Sequence, residues 1–218
     1  MALDLEEQEQ LANLKTFWHK YGKQIITVLV IILLGYSANM GWKWWKNSQA
    51  NEASKLYETL LNSTVKNDLA QTYLAAEDLQ KKFGSTAYAA MGSLVAARVA
   101  SDANDSAKAQ QFLRWTAKDA ADDSYRAIAQ MRLVSLLIDQ GGDAAMSEAD
   151  QLLKTKPVNG FEALWLERRG DWYLTQQKIS EARSSYQEAW KILLNNKEFP
   201  EEAKRLLKVK LDVVGGAS

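Results

Sequence analysis

The sequence predicts an all-α chain: a single N-terminal transmembrane helix, then an α-solenoid of about four helical hairpins, then a C-terminal capping helix. Three observations predict it. Residues 24–42, QIITVLVIILLGYSANMGW, run 19 positions without a charge in a chain that is 25% charged. Only two prolines occur, Pro157 and Pro200, and outside the apolar run alanine is abundant and β-branched runs are scarce. Clusters of turn-forming residues then divide the rest into helix-length pieces of 12–17 residues.

The apolar run is read as an anchor. At 1.5 Å per residue it spans roughly 28 Å, close to the ~30 Å hydrocarbon core of a bilayer. Phe17, Trp18 and Tyr21 precede it, and Tyr36, Trp42, Trp44 and Trp45 sit at its far end. Amphipathic rings favour the headgroup level, so these two clusters fit an interfacial belt. Lys20, Lys23, Lys43 and Lys46 can extend their ammonium groups to water or lipid phosphates. The membrane-interface residues are thus Trp18, Tyr21, Lys23, Tyr36, Trp42, Trp44 and Trp45.

Two other readings compete. A buried core helix conflicts with Ile25–Leu34, which is apolar on every face and interrupted only by Thr27. A cleavable signal peptide would carry Asp4, Glu6, Glu7 and Glu9 in its leading region, which is atypical. Charge bias does not set the orientation: Lys15, Lys20 and Lys23 face Lys43, Lys46 and Lys55. A short tail inside and a large domain outside is the usual arrangement of a signal anchor.

Residues 47–218 hold 22 basic and 23 acidic side chains, so no electrostatic case exists for nucleic acid. About 170 residues can bury roughly 70% of their unfolded surface, enough for a real core. The chain has no cysteine, which excludes disulfides, thiolate catalysis and cysteine zinc sites.

Turn signals fall at Asn62-Ser63, Phe83-Gly84-Ser85, Ala103-Asn104-Asp105, Ala121–Ser124, Gln140–Asp143, Pro157–Gly160, Gln177-Lys178 and Phe199-Pro200. Asp105 or Ser106, Ser124, Asp143 and Ser180 are candidate N-caps. The clearest unit is Leu166–Ala189. Its Leu166, Gly170, Tyr173, Ala182, Tyr186 and Ala189 stand at the W, G, Y, A, F and A spacings of the tetratricopeptide (TPR) pattern. Gly170 and Ala182 are small where two helices cross; Tyr173 and Tyr186 fill the space beside them. Weaker copies precede it: Ala145, Ala149 and Leu152; Ala109, Leu113 and Thr116; and, poorly, Ala75, Leu79 and Lys82. Their alanine column, 75, 109, 145 and 182, steps by 34, 36 and 37. Alanine is common, and an irregular helical bundle is the competing reading. Pro200–Val213 places Ala203, Leu206, Leu207 and Leu211 on one face, as a covering helix would. Gly215–Ser218 reads as a frayed tail.

The opening LEEQEQLANLKTFWHKYGKQI, through Glu7, Leu14, Lys15, Trp18, Tyr21, Gly22 and Lys23, resembles the tail of the bacterial YfgM family. The order of parts resembles it too: charged tail, one span, aromatic-rich exit, degenerate hairpins. The resemblance implies an ancillary SecYEG translocon subunit, single-pass in the bacterial inner membrane, N-terminus cytoplasmic and TPR-like domain periplasmic. It implies the SecYEG translocon and a PpiD-like periplasmic chaperone as partners, a chaperone-like role toward secreted chains, and no catalytic residues. The expected parts are a cytoplasmic tail (1–23), the transmembrane helix (24–42), a juxtamembrane stalk or first helix (43–62), the TPR-like periplasmic domain (63–214) and a disordered tail (215–218).

Chemistry points away from an enzyme. The one histidine, His19, lies in the tail between Trp18 and Lys20, and Gly141-Gly142-Asp143 lacks the Lys-Ser/Thr of a phosphate loop. Asp122/Asp123 and Glu201/Glu202 suit helix starts. No cofactor, metal or small-molecule substrate is expected. Partners are the bilayer and other proteins, met in a groove on the first helices. Carrying back the register of the last repeat places Leu164, Glu167 and Asp171 there, then Ala127, Gln130, Val134 and Leu137, then Met91, Leu94 and Arg98. Leu94→Asp with Val134→Asp is expected to weaken partner capture and leave helicity near wild type. A scaffold for envelope assembly or cell division is the alternative function; an unrecognised periplasmic hydrolase is a further one.

Overall fold

The computed structural model describes residues 5–195 and 199–215. Among them are nine helices and no strand: α1 (Leu5–Val65), α2 (Leu69–Phe83), α3 (Ala87–Asp102), α4 (Ser106–Asp119), α5 (Asp123–Gln140), α6 (Asp143–Leu153), α7 (Glu162–Thr175), α8 (Ile179–Asn195) and α9 (Glu201–Val213). They form two compact units, Met1–Gln49 and Ala50–Ser218.

In the first unit the apolar side chains have no protein to bury them. Val28–Leu34 are 46–66% exposed, which overturns the buried-core reading of this segment. Among the described residues α1 is the one helix long and apolar enough to cross a membrane. Its backbone groups are satisfied along the helix. The Thr27 hydroxyl donates to the Lys23 carbonyl at 2.8 Å, so even this side chain leaves no orphan donor for lipid to solvate.

The second unit is a run of hairpins. The last part of α1 packs with α2, α3 with α4, α5 with α6, and α7 with α8; α9 packs on α8. One apolar cluster joins Ala53 and Leu60 to α2–α6; another joins α7, α8 and α9 around Tyr186, Leu207 and Leu211. The expected C-terminal cap is therefore present. Its outward side chains differ from expectation, because Leu206 is 56% exposed while Leu207, Leu211 and Val214 face the core. Gly215 has φ +70; the rest of the tail expected at 215–218 lies outside the described residues.

Each hairpin turn holds a residue of positive φ at an equivalent place. Asn67, Asn104, Gly141 and Gln177 all have positive φ, from 55° to 66°, and step by 37, 37 and 36 residues. In three of them the next residue's N–H reaches back to close the helix end: Asp68 to the Ser63 carbonyl at 2.9 Å, Asp105 to Ala100 at 2.8 Å, Lys178 to Tyr173 at 3.0 Å. In the first two the same residue then opens the following helix. The Asp68 carboxylate accepts from Gln71 N–H and that of Asp105 from Lys108 N–H.

Several expected boundaries move. The first turn is not at Asn62-Ser63, since α1 continues to Val65. Ser63 and Thr64 lie within the helix, their hydroxyls satisfied at the Leu60 carbonyl, and Lys66 N–H still donates to the Asn62 carbonyl. The caps of α5 and α6 are Asp122 and Gly142 rather than Ser124 and Asp143; the Asp122 carboxylate accepts from Ser124 N–H at 2.7 Å. α8 starts at Ile179, one residue before Ser180.

The first repeat is also misaligned by alanine counting. The residue whose N–H donates to the carbonyl just after the turn residue is Ala109 in α4 and Ala182 in α8, but Thr72 in α2 and Met146 in α6. Thr72 is fully buried and its hydroxyl donates to the Asp68 carbonyl at 2.7 Å. A satisfied threonine thus fills the alanine slot. The repeat triad is Thr72, Ala76 and Leu79, and Lys82 is exposed.

Candidate functional site

In the membrane segment every ring of the expected belt is on the surface of α1: Trp18, Tyr21, Tyr36, Trp42, Trp44 and Trp45. Phe17 packs on Tyr21 with centroids 5.2 Å apart, and Trp42 on Trp45 at 5.3 Å. Lys46 lies 5.7 Å over Trp42 and Lys20 lies 5.4 Å over Tyr21, so cations and rings share the same levels. Lys23 is exposed beside them. From Tyr21 to Trp42 the helix rises about 31 Å, which matches the hydrocarbon thickness.

The expected groove resolves into core and surface. Seven residues before each turn residue stand Leu60, Ala97, Val134 and Gly170, all buried. Val134 is thus the α5 counterpart of Gly170, at the helix crossing, and cannot line an open groove. Leu137 and Ala127 are buried with it, and Gln130 is half-buried. The difference is a one-residue slip. The step from α7 to α5 is 36 residues, whereas the alanine column gives 37. On the observed step, Ile128, Met131 and Ser135 of α5 stand at the levels of Leu164, Glu167 and Asp171; Met131 is buried, while Ile128 and Ser135 are partly exposed. Met91, Leu94 and Arg98 keep their places in α3, but Leu94 is nearly buried. Leu94→Asp with Val134→Asp would therefore place carboxylates in the core, and the helicity expected to survive would be lost.

What remains open is a recess of about 400 Å³ between α3, α4 and α5. Arg98, Ser101 and Asp102 contribute from α3, Leu113 from α4, and Arg132 and Ser135 from α5. The Arg98 Nε donates to both Asp102 carboxylate oxygens, at 2.9 and 2.8 Å. Arg132 forms no ion pair among the described residues. Neither Arg132 nor Ser101 is among the expected groove residues. Their signal in the sequence is the helical spacing Arg98, Ser101, Asp102 set against Arg132, Ser135, which a register one residue out conceals.

At the far end the groove is occupied by the chain itself. Lys210 of α9 donates to Glu167 at 2.6 Å and to both Asp171 oxygens at 2.8 Å, while Arg168 pairs with both carboxylates. The Tyr186 hydroxyl donates to Asp171 at 2.7 Å. Burial, then the Asp171 bond, pushes that phenol far above its ordinary range, so it stays a donor. Glu167 and Asp171 fasten the capping helix; they are not free to meet a partner. Leu164 is half-buried against the first core cluster.

The described residues hold no cluster of acidic or histidine side chains able to bind a metal ion. Glu77 and Glu148 titrate below the ordinary range because Lys108 and Arg114 donate to them, an effect of ion pairing between repeats.

Comparisons agree with this architecture. The profile of a family described as a tetratricopeptide repeat-like domain matches residues 15–216. A protein of Neisseria gonorrhoeae named ancillary SecYEG translocon subunit is 32% identical over 97% of this chain and 99% of its own length. Proteins of the same name from Haemophilus influenzae and Escherichia coli are 28% and 27% identical, over 87% and 83% of this chain and 91% and 85% of theirs. No solved structure matches it. With matched architecture along nearly its whole length, the chain belongs to the tetratricopeptide repeat-like family that includes these ancillary SecYEG translocon subunits.

Proposed function

We propose that this protein is a membrane-anchored interaction subunit of the SecYEG translocon, working on secreted chains beside a PpiD-like periplasmic chaperone. The observation that carries the reading is the near full-length likeness to the Neisseria protein of that name. The physical parts support it. One exposed apolar helix suits a bilayer, and the hairpin unit offers a mixed recess for a peptide or helix. Tethering raises the local concentration of a weak binder near its partner. In this reading residues 1–23 are the cytoplasmic tail, 24–42 cross the membrane, and the hairpin unit lies in the periplasm. The groove acts through Met91, Arg98, Ile128, Arg132 and Ser135.

The test uses the absence of native cysteine. A photo-crosslinker at Ser135 in native membranes should capture translocon subunits, and Arg132→Glu should reduce that capture. A cysteine at Asn104 should react with a membrane-impermeant maleimide in intact spheroplasts. Capture dominated by division or envelope-assembly proteins would overturn the translocon assignment; protection of Asn104→Cys would overturn the orientation.

A further inference from the structure

A second recess lies on the other side of α7. Arg169 stands two residues after Glu167 and two before Asp171, so at about 100° per residue it lies roughly 160° around the helix from each. Here the end of α6 and the segment after it meet α7 around a hollow of about 420 Å³. Trp165, Trp172, Tyr173 and Pro157 supply apolar walls. Between two of the rings sits Arg169, its guanidinium carbon 5.2 Å from the Trp165 centroid and 5.5 Å from that of Tyr173. Stacking holds this cation in place without neutralising it.

The charge around the hollow is one-sided. Asp150 is the carboxylate lining it, and Lys154 already pairs with Asp150 at 2.6 Å. Arg169 and Lys156 form no ion pair among the described residues. Lys178 adds a cation 5.7 Å from the Trp172 ring. Aromatic faces with separated, unspent cations complement a chain that carries carboxylates between apolar residues.

The geometry points to a docking site for an acidic extended segment of a partner polypeptide, seated between α6 and α7 and separate from the α3–α5 groove. Its side-chain carboxylates meet Arg169 and Lys156, and its apolar residues lie on Trp165 and Trp172. Cations spread across the hollow favour several carboxylates over a single chain terminus.

The test is peptide binding to the full-length chain in phosphatidylcholine nanodiscs, read by fluorescence anisotropy. The probe is a short labelled peptide of alternating Glu and Phe/Ala, amidated at its C-terminus. It should bind, lose affinity as salt rises, and bind about tenfold more weakly to Lys156→Glu and to Arg169→Gln. Lys156 is exposed, so Lys156→Glu keeps the test decisive if Arg169→Gln loosens the ring packing. Arg132→Glu, in the other recess, should leave the affinity unchanged. Equal binding of a lysine-for-glutamate peptide, unaltered affinity in Lys156→Glu, or loss in Arg132→Glu alone would overturn the proposal. So would binding only by a free C-terminus, or displacement of the peptide by phosphatidylglycerol in the nanodisc, which would assign the cations to lipid.

Discussion

Gly170 shows how one atom sets a helix crossing. A Cβ there would lie 2.5 Å from Tyr186 Cδ1 and closer still to Cε1, so the ring occupies the space any side chain would need. Alanine favours a helix by about 1 kcal/mol over glycine, but overpacking costs about 1–3 kcal/mol and requires Tyr186 to move. Tyr186 is pinned by its bond to Asp171, so it cannot swing away cheaply. Gly170→Ala is therefore expected to destabilise the hairpin unit, with a lower urea midpoint at unchanged m-value. Val134→Asp is the sharper case. It buries a carboxylate at a fully buried site, and circular dichroism should report loss of cooperative unfolding at ordinary temperature. At this scale Gly170, Ala182 and Tyr186 are legible in the sequence, since small and large residues at fixed spacing are what a close helix crossing requires. Thr72 is not, because a hydroxyl looks like a surface group until its backbone acceptor is known.

Among the elements, the hairpin turns carry the periodicity best. Gln177 holds φ +59, a conformation that costs a non-glycine residue about 1–2 kcal/mol. Gln177→Gly should raise the melting temperature, by about 0.5–1 kcal/mol of stability. Asp105→Ala removes the cap that accepts from Lys108 N–H and should cost about 1 kcal/mol by the same measurement. The pairs Asn67-Asp68 and Asn104-Asp105 repeat 37 residues apart and are plain in the sequence. Asn62-Ser63 competes with the first of them, because its composition is equally turn-like. That stretch is helical instead, with Leu60 and Ser63 buried and both hydroxyls satisfied at the Leu60 carbonyl. A period counted from alanines, without the turn pairs, is what puts the α5 face one residue out of register.

For the whole molecule, ion pairs link successive repeats. Lys108 bonds Glu77 between α4 and α2, Arg114 holds Glu148 in a two-point contact between α4 and α6, and Lys210 joins α9 to α7. Glu77 and Glu148 have depressed pKa values in the folded state. Their contribution is complete above the unfolded carboxyl range near 4.3 and is lost as pH falls through the lower folded values. Thermal stability should thus drop below about pH 4, and Glu148→Gln should flatten that drop while lowering stability only slightly at pH 7, since exposed pairs contribute about 0–1 kcal/mol.

Composition and local period are enough to specify the all-helical class, the apolar helix, the run of hairpins and the capping helix. Each depends on neighbours a few positions apart, and a chain carries those wherever it goes. Which face of each helix is open depends instead on packing. A single residue turns a helix by about 100°, so a slip from 36 to 37 exchanges core for surface. Packing also commits Glu167 and Asp171 to α9 while Arg169 and Arg132 remain available, because ion pairing over 39 or 43 positions leaves no trace in local spacing.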